Sequence, residues 1–178
     1  LNLTAGKDGI HSENTDDSEK GFLYILDGTF SITAGSDGMD ASQNVTVKGG
    51  TITLAVGDDG IHADGELTIV NGSVTVTESY EGLEGQTVNI QGGTVSVTAS
   101  DDGINAADGS TAAMGPGAAG SSCAIHISGG EVRVDASGDG LDSNGDLTVT
   151  GGTVYVSGAC NGGDSVLDYD GTATISGG

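Results

Sequence analysis

The chain has 178 residues, with 26 Asp and Glu against 4 Lys and Arg, a formal net charge of −22, 34 glycines, one Pro and no Trp. So few cations cannot neutralise a phosphate backbone or adhere to an anionic bilayer, which excludes unaided nucleic-acid binding and membrane-surface adsorption. Aromatics at 3% exclude a core built on large rings, no run of about 18 apolar residues exists for membrane insertion, and the regular placing of Val, Ile, Leu and Ala excludes simple disorder.

Short β-type segments follow one another along the chain, starting with Leu1-Asn2-Leu3-Thr4 in the middle of a unit. A four-residue word comes next: acid, Gly, apolar, polar. It stands at Asp8-Gly9-Ile10-His11, Asp37-Gly38-Met39-Asp40, Asp59-Gly60-Ile61-His62, Glu81-Gly82-Leu83-Glu84, Asp102-Gly103-Ile104-Asn105 and Asp139-Gly140-Leu141-Asp142, with a degenerate copy at Ser165-Val166-Leu167-Asp168. Its first residue recurs after 29, 22, 22, 21, 37 and 26 residues. A second word follows within the unit, as in Val45-Thr46-Val47, Leu67-Thr68-Ile69, Val88-Asn89-Ile90, Ile125-His126-Ile127 and Leu147-Thr148-Val149. A third closes it, as in Gly50-Thr51-Ile52-Thr53-Leu54, Gly72-Ser73-Val74-Thr75-Val76, Gly93-Thr94-Val95-Ser96-Val97, Gly130-Glu131-Val132-Arg133-Val134 and Gly152-Thr153-Val154-Tyr155-Val156.

A unit of about 22 residues with three alternating segments cannot bury its apolar face alone, whereas copies stacked about 4.8 Å apart enclose a continuous core. The expected fold is all-β: a right-handed, three-sided parallel β-helix of about seven coils, with the hand following the usual crossover preference. Residues 1–178 then form a single domain. Ile10, Met39, Ile61, Leu83, Ile104, Leu141 and Leu167 should point inward on one side. Val74, Val76, Val95, Val97, Val132, Val134, Val154 and Val156 should do so on another. Gly pairs such as Gly49-Gly50 and Gly92-Gly93 mark corners that need positive φ. The spacing of 37 places an inserted loop at 106–122, leaving the coil after Asn105. A nine-residue calcium β-roll, a leucine-rich repeat and a propeller all fit the period worse. Solenoids need caps, and none is visible here. With Leu1 in place of an initiator Met, the chain reads as part of a longer protein with further domains.

The runs Asp58-Asp59-Gly60-Ile61-His62-Ala63-Asp64-Gly65, Thr77-Glu78-Ser79-Tyr80-Glu81-Gly82-Leu83-Glu84-Gly85 and Ser100-Asp101-Asp102-Gly103-Ile104-Asn105-Ala106-Ala107 resemble one bacterial family. So do Gly138-Asp139-Gly140-Leu141-Asp142-Ser143-Asn144-Gly145 and Leu167-Asp168-Tyr169-Asp170-Gly171. It is the carbohydrate-binding-domain family of secreted or surface-bound parallel β-helices, similar to pectate-lyase-type polysaccharide lyases. The resemblance implies calcium, a secreted or cell-surface location, and a polysaccharide partner such as cellulose or an acidic, pectin-like polymer.

Chemistry points to a cation independently. Stacking places Asp37, Asp59, Glu81, Asp102 and Asp139 in one column and Asp40, His62, Glu84, Asn105, Asp142 and Asp168 in a second. A single Asp-Gly is an ordinary turn. Six acid-Gly words in register put like charges a few ångströms apart, which raises carboxyl pKa values or recruits cations. Calcium takes about 6–8 oxygen ligands and suits such a ladder, whereas zinc or iron would call for more Cys and His. Asp58, Asp59, Glu81, Glu84, Asp101 and Asp102 form the expected strongest cluster, with Asp139 and Asp142 as a further candidate. His11 and His62 are read as facing solvent.

Cys123 and Cys160 fall at different corners and are read as unpaired. Tyr80, Tyr155 and Tyr169 are the candidate sugar-contacting aromatics, Tyr80 beside the ladder and Tyr155 outward between two valines. A lyase would need a base near the cation. Lys7, in the column of Asp58 and Asp101, is the one catalytic candidate, and a single base at the first coil argues against catalysis. Three functions remain open: a calcium-dependent carbohydrate-binding module, a calcium-dependent polysaccharide lyase, and a structural surface or adhesin rod without sugar binding. Ice binding by the Thr rows ranks low, because the rows break at Glu131-Arg133-Asp135.

Overall fold

The computed structural model describes residues 1–108, 122–158 and 162–178, and among them every regular element is a strand. All strand pairs are parallel, as a coil requires when each strand meets its own copy one turn later. One sheet of seven strands takes one strand per rung: Asn2–Ala5, Thr29–Ala34, Thr51–Val56, Ser73–Glu78, Thr94–Ala99, Glu131–Ala136 and Thr153–Ser157. Its outward residues are mainly Ser and Thr, and we term it the hydroxyl face.

A second sheet of twelve strands contains two rows. The acid-Gly words build one row, the ladder face, with Ile10–Ser12, Met39–Ala41, Ile104–Ala106, Leu141–Ser143 and Leu167–Tyr169. Leu23–Ile25, Val45–Val47, Ala124–Ile127, Asp146–Val149 and Ala173–Ile175 build the other. The rows fuse at Ile61–Ile69 and Leu83–Ile90, which run unbroken through the corner. The result is a three-sided β-solenoid in which six turns connect seven rungs.

The register is the one the repeats dictate: Ile10, Met39, Ile61, Leu83, Ile104, Leu141 and Leu167 pair in succession along the ladder face. Met39, Ile61, Leu83 and Ile104 are fully buried, as are Val74, Val95 and Val132 on the hydroxyl sheet. The inward expectation weakens at the ends. Ile10, Val154 and Val156 are only partly buried, and Leu167 is 36% exposed, because the outermost rungs are covered on one side alone.

Two glycine columns serve two purposes. Gly50, Gly72, Gly93, Gly130 and Gly152 turn the corner before the hydroxyl face with φ between 80° and 104°, a region that disfavours side chains. The glycines of the acid-Gly words have ordinary φ but no room. A Cβ on Gly103 would overlap Val134 Cγ1 and stand 2.7 Å from the Gly140 carbonyl oxygen.

The expected departure of the inserted loop after Asn105 needs correction. Ala106 is fully buried, ends the strand Ile104–Ala106 and pairs with Gly85 and Ser143. The Ala107 N–H still donates to Gly85 O at 3.1 Å. The rest of that loop from 109 to 121 lies outside the described residues, as does Cys160, while Cys123 is buried.

Gly103→Ala is expected to destabilise the fold by about 1–3 kcal/mol through overpacking. Gly6→Ala, where nothing lies within 4 Å of the added carbon, should be close to neutral. Urea midpoints of the two variants test this, and equal midpoints would contradict the packing account.

Candidate metal centre

Three columns of side chains run up the ladder face and the turn before it. The backbone N–H groups of Gly9, Gly38, Gly60, Gly82 and Gly103 donate to the carbonyls of Asp37, Asp59, Glu81, Asp102 and Asp139, at 2.8–3.0 Å. This stacks the first acids of the words. In the second column His11, Asp40, His62, Glu84, Asn105, Asp142 and Asp168 stand in direct register. The column ahead of both is Lys7, Ser36, Asp58, Tyr80, Asp101 and Gly138, again tied rung to rung by backbone hydrogen bonds.

The first-column aspartates have a structural duty. Asp37 Oδ1 accepts the Asp59 N–H at 3.0 Å, Asp102 Oδ1 accepts the Asp139 N–H at 2.7 Å, and Asp139 Oδ1 accepts the Ser165 N–H. Each thus satisfies a turn amide of the next rung. Glu81 is longer and instead accepts the Asn105 Nδ2 hydrogen at 2.9 Å.

Stacking brings five groups of possible ligand atoms within 4.8 Å: Asp8, His11 and Asp40; Asp37, Asp40 and His62; Asp59, His62 and Glu84; Asp37, Asp58 and Asp59; and Asp102, Asp139 and Asp142. The expected strongest cluster therefore divides. Asp58, Asp59, Glu84 and Asp102 join groups, whereas Glu81 is held by Asn105 and Asp101 accepts the Tyr80 hydroxyl hydrogen. That bond pushes the Tyr80 pKa up to about 12. His11 is exposed, as expected, whereas His62 is only part-exposed. His11 Nδ1 lies 2.6 Å from Asp40 Oδ2 and His62 Nδ1 lies 3.0 Å from Asp40 Oδ1, so both ride on the ladder. Their signal was present in the sequence: they occupy the column of Glu84, Asn105 and Asp142.

Burial of stacked carboxylates shapes the electrostatics. Asp59 is 8% exposed, and burial, then Glu84, hold its carboxyl far above the usual range. Burial, then Glu84 and Asp102, raises Glu81 to about 7 despite the Asn105 bond. Burial, then Asp102 and Asp139, raises Asp142 to about 7, and burial followed by Asp101 and Asp139 raises Asp102 to about 6. Asp40 raises His11. For His62 burial works downward, but Glu84 and Asp40 outweigh it.

Among the described residues one buried side-chain polar atom lacks a hydrogen-bond partner: Asn105 Oδ1, on a side chain flanked in its column by Glu84 and Asp142. An unpaired amide oxygen on a side chain in register between two carboxylates is a possible ligand for a hard, oxygen-seeking cation. Asp102, Asp139 and Asp142 form an oxygen-only group, the donor type that hard cations take. The rungs around Asp40 mix oxygen with imidazole nitrogen.

Raised carboxyl pKa values fix the sign of a pH dependence. Between about pH 4 and 7 the folded chain holds protons that the unfolded chain releases, so stability falls as pH rises through that window. The histidine shifts act in the same direction, since their contribution is lost as pH rises through their folded values. In chelator, the urea midpoint is expected to be higher near pH 5 than near pH 8. A midpoint that is flat or rises with pH contradicts this electrostatic account.

A family model for carbohydrate-binding domain-containing proteins matches residues 1–115, which include the five acid-Gly words from Asp8 to Asn105. No curated protein and no solved structure matches the chain. The match takes in well over half of the residues and the greater part of the ladder, and the chain belongs to the family of carbohydrate-binding domain-containing proteins.

Proposed function

We propose that the chain is an extracellular, calcium-dependent module that binds plant cell-wall polysaccharide. One observation carries the calcium part: the ladder packs part-buried carboxylates against each other in a chain of net charge −22, with the amide oxygen of Asn105 left unpaired in the same column. Carbohydrate binding rests on the family.

Asp102, Asp139 and Asp142, with Asn105 alongside, would hold one calcium ion. Asp37, Asp58 and Asp59 offer a second oxygen-only group. Calcium there supplies the positive charge that the sequence lacks, and sites of millimolar affinity suit extracellular modules. An acidic polymer approaching the bare chain is repelled, whereas a neutralised ladder removes that barrier.

The placing of the basic residues favours binding over lyase chemistry. Lys20 pairs with Asp17, Lys48 lies over Tyr24, and Arg133 pairs with Glu131 on the hydroxyl face. Lys7 keeps its place at the first rung, several rungs from the Asp102 group and one rung before Asp37, where it is a lone base.

A cation that binds only the folded state stabilises it, by about 2.7 kcal/mol at a hundredfold excess over Kd. The melting temperature at about pH 8 is expected to rise with millimolar calcium and fall in chelator. Asp142→Asn should do two opposite things: raise the melting temperature in chelator by relieving repulsion, and shrink the increment from calcium. Indifference of the wild type to calcium would sink the metal reading. Retention on the acidic polymer polygalacturonate is expected with calcium and lost in chelator; retention that ignores chelator would overturn the calcium-dependent part of the binding reading.

A further inference from the structure

The hydroxyl face changes character at one end. In register from rung to rung, its central outward positions read Ser31, Thr53, Thr75, Ser96, Arg133 and Tyr155. Four short hydroxyl side chains thus give way to a guanidinium and an aromatic ring. The Arg133 Cζ stands 4.2 Å from the Tyr155 ring centroid. Arg133 Nε and Nη2 donate to Glu131 Oε1 at 2.9 and 2.8 Å. Ser157 Oγ donates to Asp135 Oδ1 at 2.7 Å. Ser96, Thr98, Arg133, Asp135, Tyr155 and Ser157 line an open groove of about 300 Å³ across the last three rungs of this sheet.

We infer that this groove is a glycan subsite, and that its occupant is an uncharged polysaccharide whose pyranose ring lies against Tyr155 while its hydroxyls pair with Ser96, Thr98, Asp135 and Ser157. The inference rests on the carbohydrate-binding reading and gives it a place and a ligand class. Three features argue for it. Tyr155 is 50% exposed yet held in place by the stacked guanidinium, so its ring presents a fixed apolar surface at little entropic cost. The polar groups around it are already oriented by hydrogen bonds to one another, as binding sites require. The charge balance selects a neutral occupant: Glu131 cancels Arg133, Asp135 remains, and the whole chain repels anions. The groove lies on a different sheet from the ladder, so occupying it does not require a cation.

Affinity electrophoresis of the whole chain in hydroxyethylcellulose, a neutral β-glucan, and in polygalacturonate tests the assignment. The wild type is expected to be retarded by the neutral glucan with or without chelator. Tyr155→Ala should weaken that retardation about tenfold or more, as loss of an anchoring aromatic does. Tyr155→Phe should keep most of it. Tyr24→Ala, which removes another exposed tyrosine stacked by a cation (Lys48, 5.2 Å), should leave it unchanged. An unaltered response of melting temperature to calcium shows that Tyr155→Ala is folded. Wild-type strength in Tyr155→Ala overturns the subsite, as does a wild type held by polygalacturonate alone. A wild type held by neither polymer overturns the functional reading together with the subsite.

Discussion

Parallel rungs about 4.8 Å apart, held in register, make each side chain meet its own counterpart from the neighbouring turn. For apolar residues this is favourable: Met39, Ile61, Leu83 and Ile104 form an unbroken buried column, and the rows of valine on the hydroxyl sheet do the same. For glycine it is a steric demand, since the carbonyl of one rung fills the space a Cβ would take in the next. For carboxylates it sets like charges together. The same translation thus produces the core, the glycine content and the electrostatic load.

That load is handled in more than one way along the ladder. Near the first rungs, imidazoles sit on both oxygens of Asp40. At Asp37, Asp102 and Asp139 one oxygen is engaged by a backbone amide of the next rung. At Glu81 an asparagine amide donates. Around Asp59 and Glu84 the His62 ring is at hand, its Nε2 3.8 Å from Glu84 Oε2, whereas Asp102, Asp139 and Asp142 have no such imidazole in their group, and burial in both places makes ionisation costly. These side chains bring possible ligand atoms within 4.8 Å of one another, the arrangement that the proposed cation requires.

The two outward chemistries occupy different sheets. The ladder face concentrates negative charge, while the hydroxyl face is nearly free of it until Glu131 and Asp135, which flank Arg133. A rigid rod that separates these functions can be stabilised on one side and can present a ligand surface on the other, with the rungs setting the spacing of both.

Much of this was legible in the residues themselves. The recurrence of the three words determined the all-β solenoid, the register of the columns and the inward residues of the inner rungs, because a repeat that must stack has only one alignment that buries all its apolar positions at once. Family membership also follows from the sequence, through the match over 1–115. The structure decided what one-dimensional spacing cannot encode: how far side chains reach and which neighbours they choose. Glu81 turns to Asn105, not to Asp58 and Asp59, because it is one methylene longer than the aspartates above and below it. Asp101 is drawn away to the Tyr80 hydroxyl, and Asp40 gathers two histidines, of which His11 stays exposed and His62 is part-buried. Leu167 matches the inward pattern yet stays exposed, since burial in a stack needs a rung on either side. Column membership is a property of the repeat; partnership within a column depends on side-chain length, rotamer and burial, and these are settled only when the rungs pack in three dimensions.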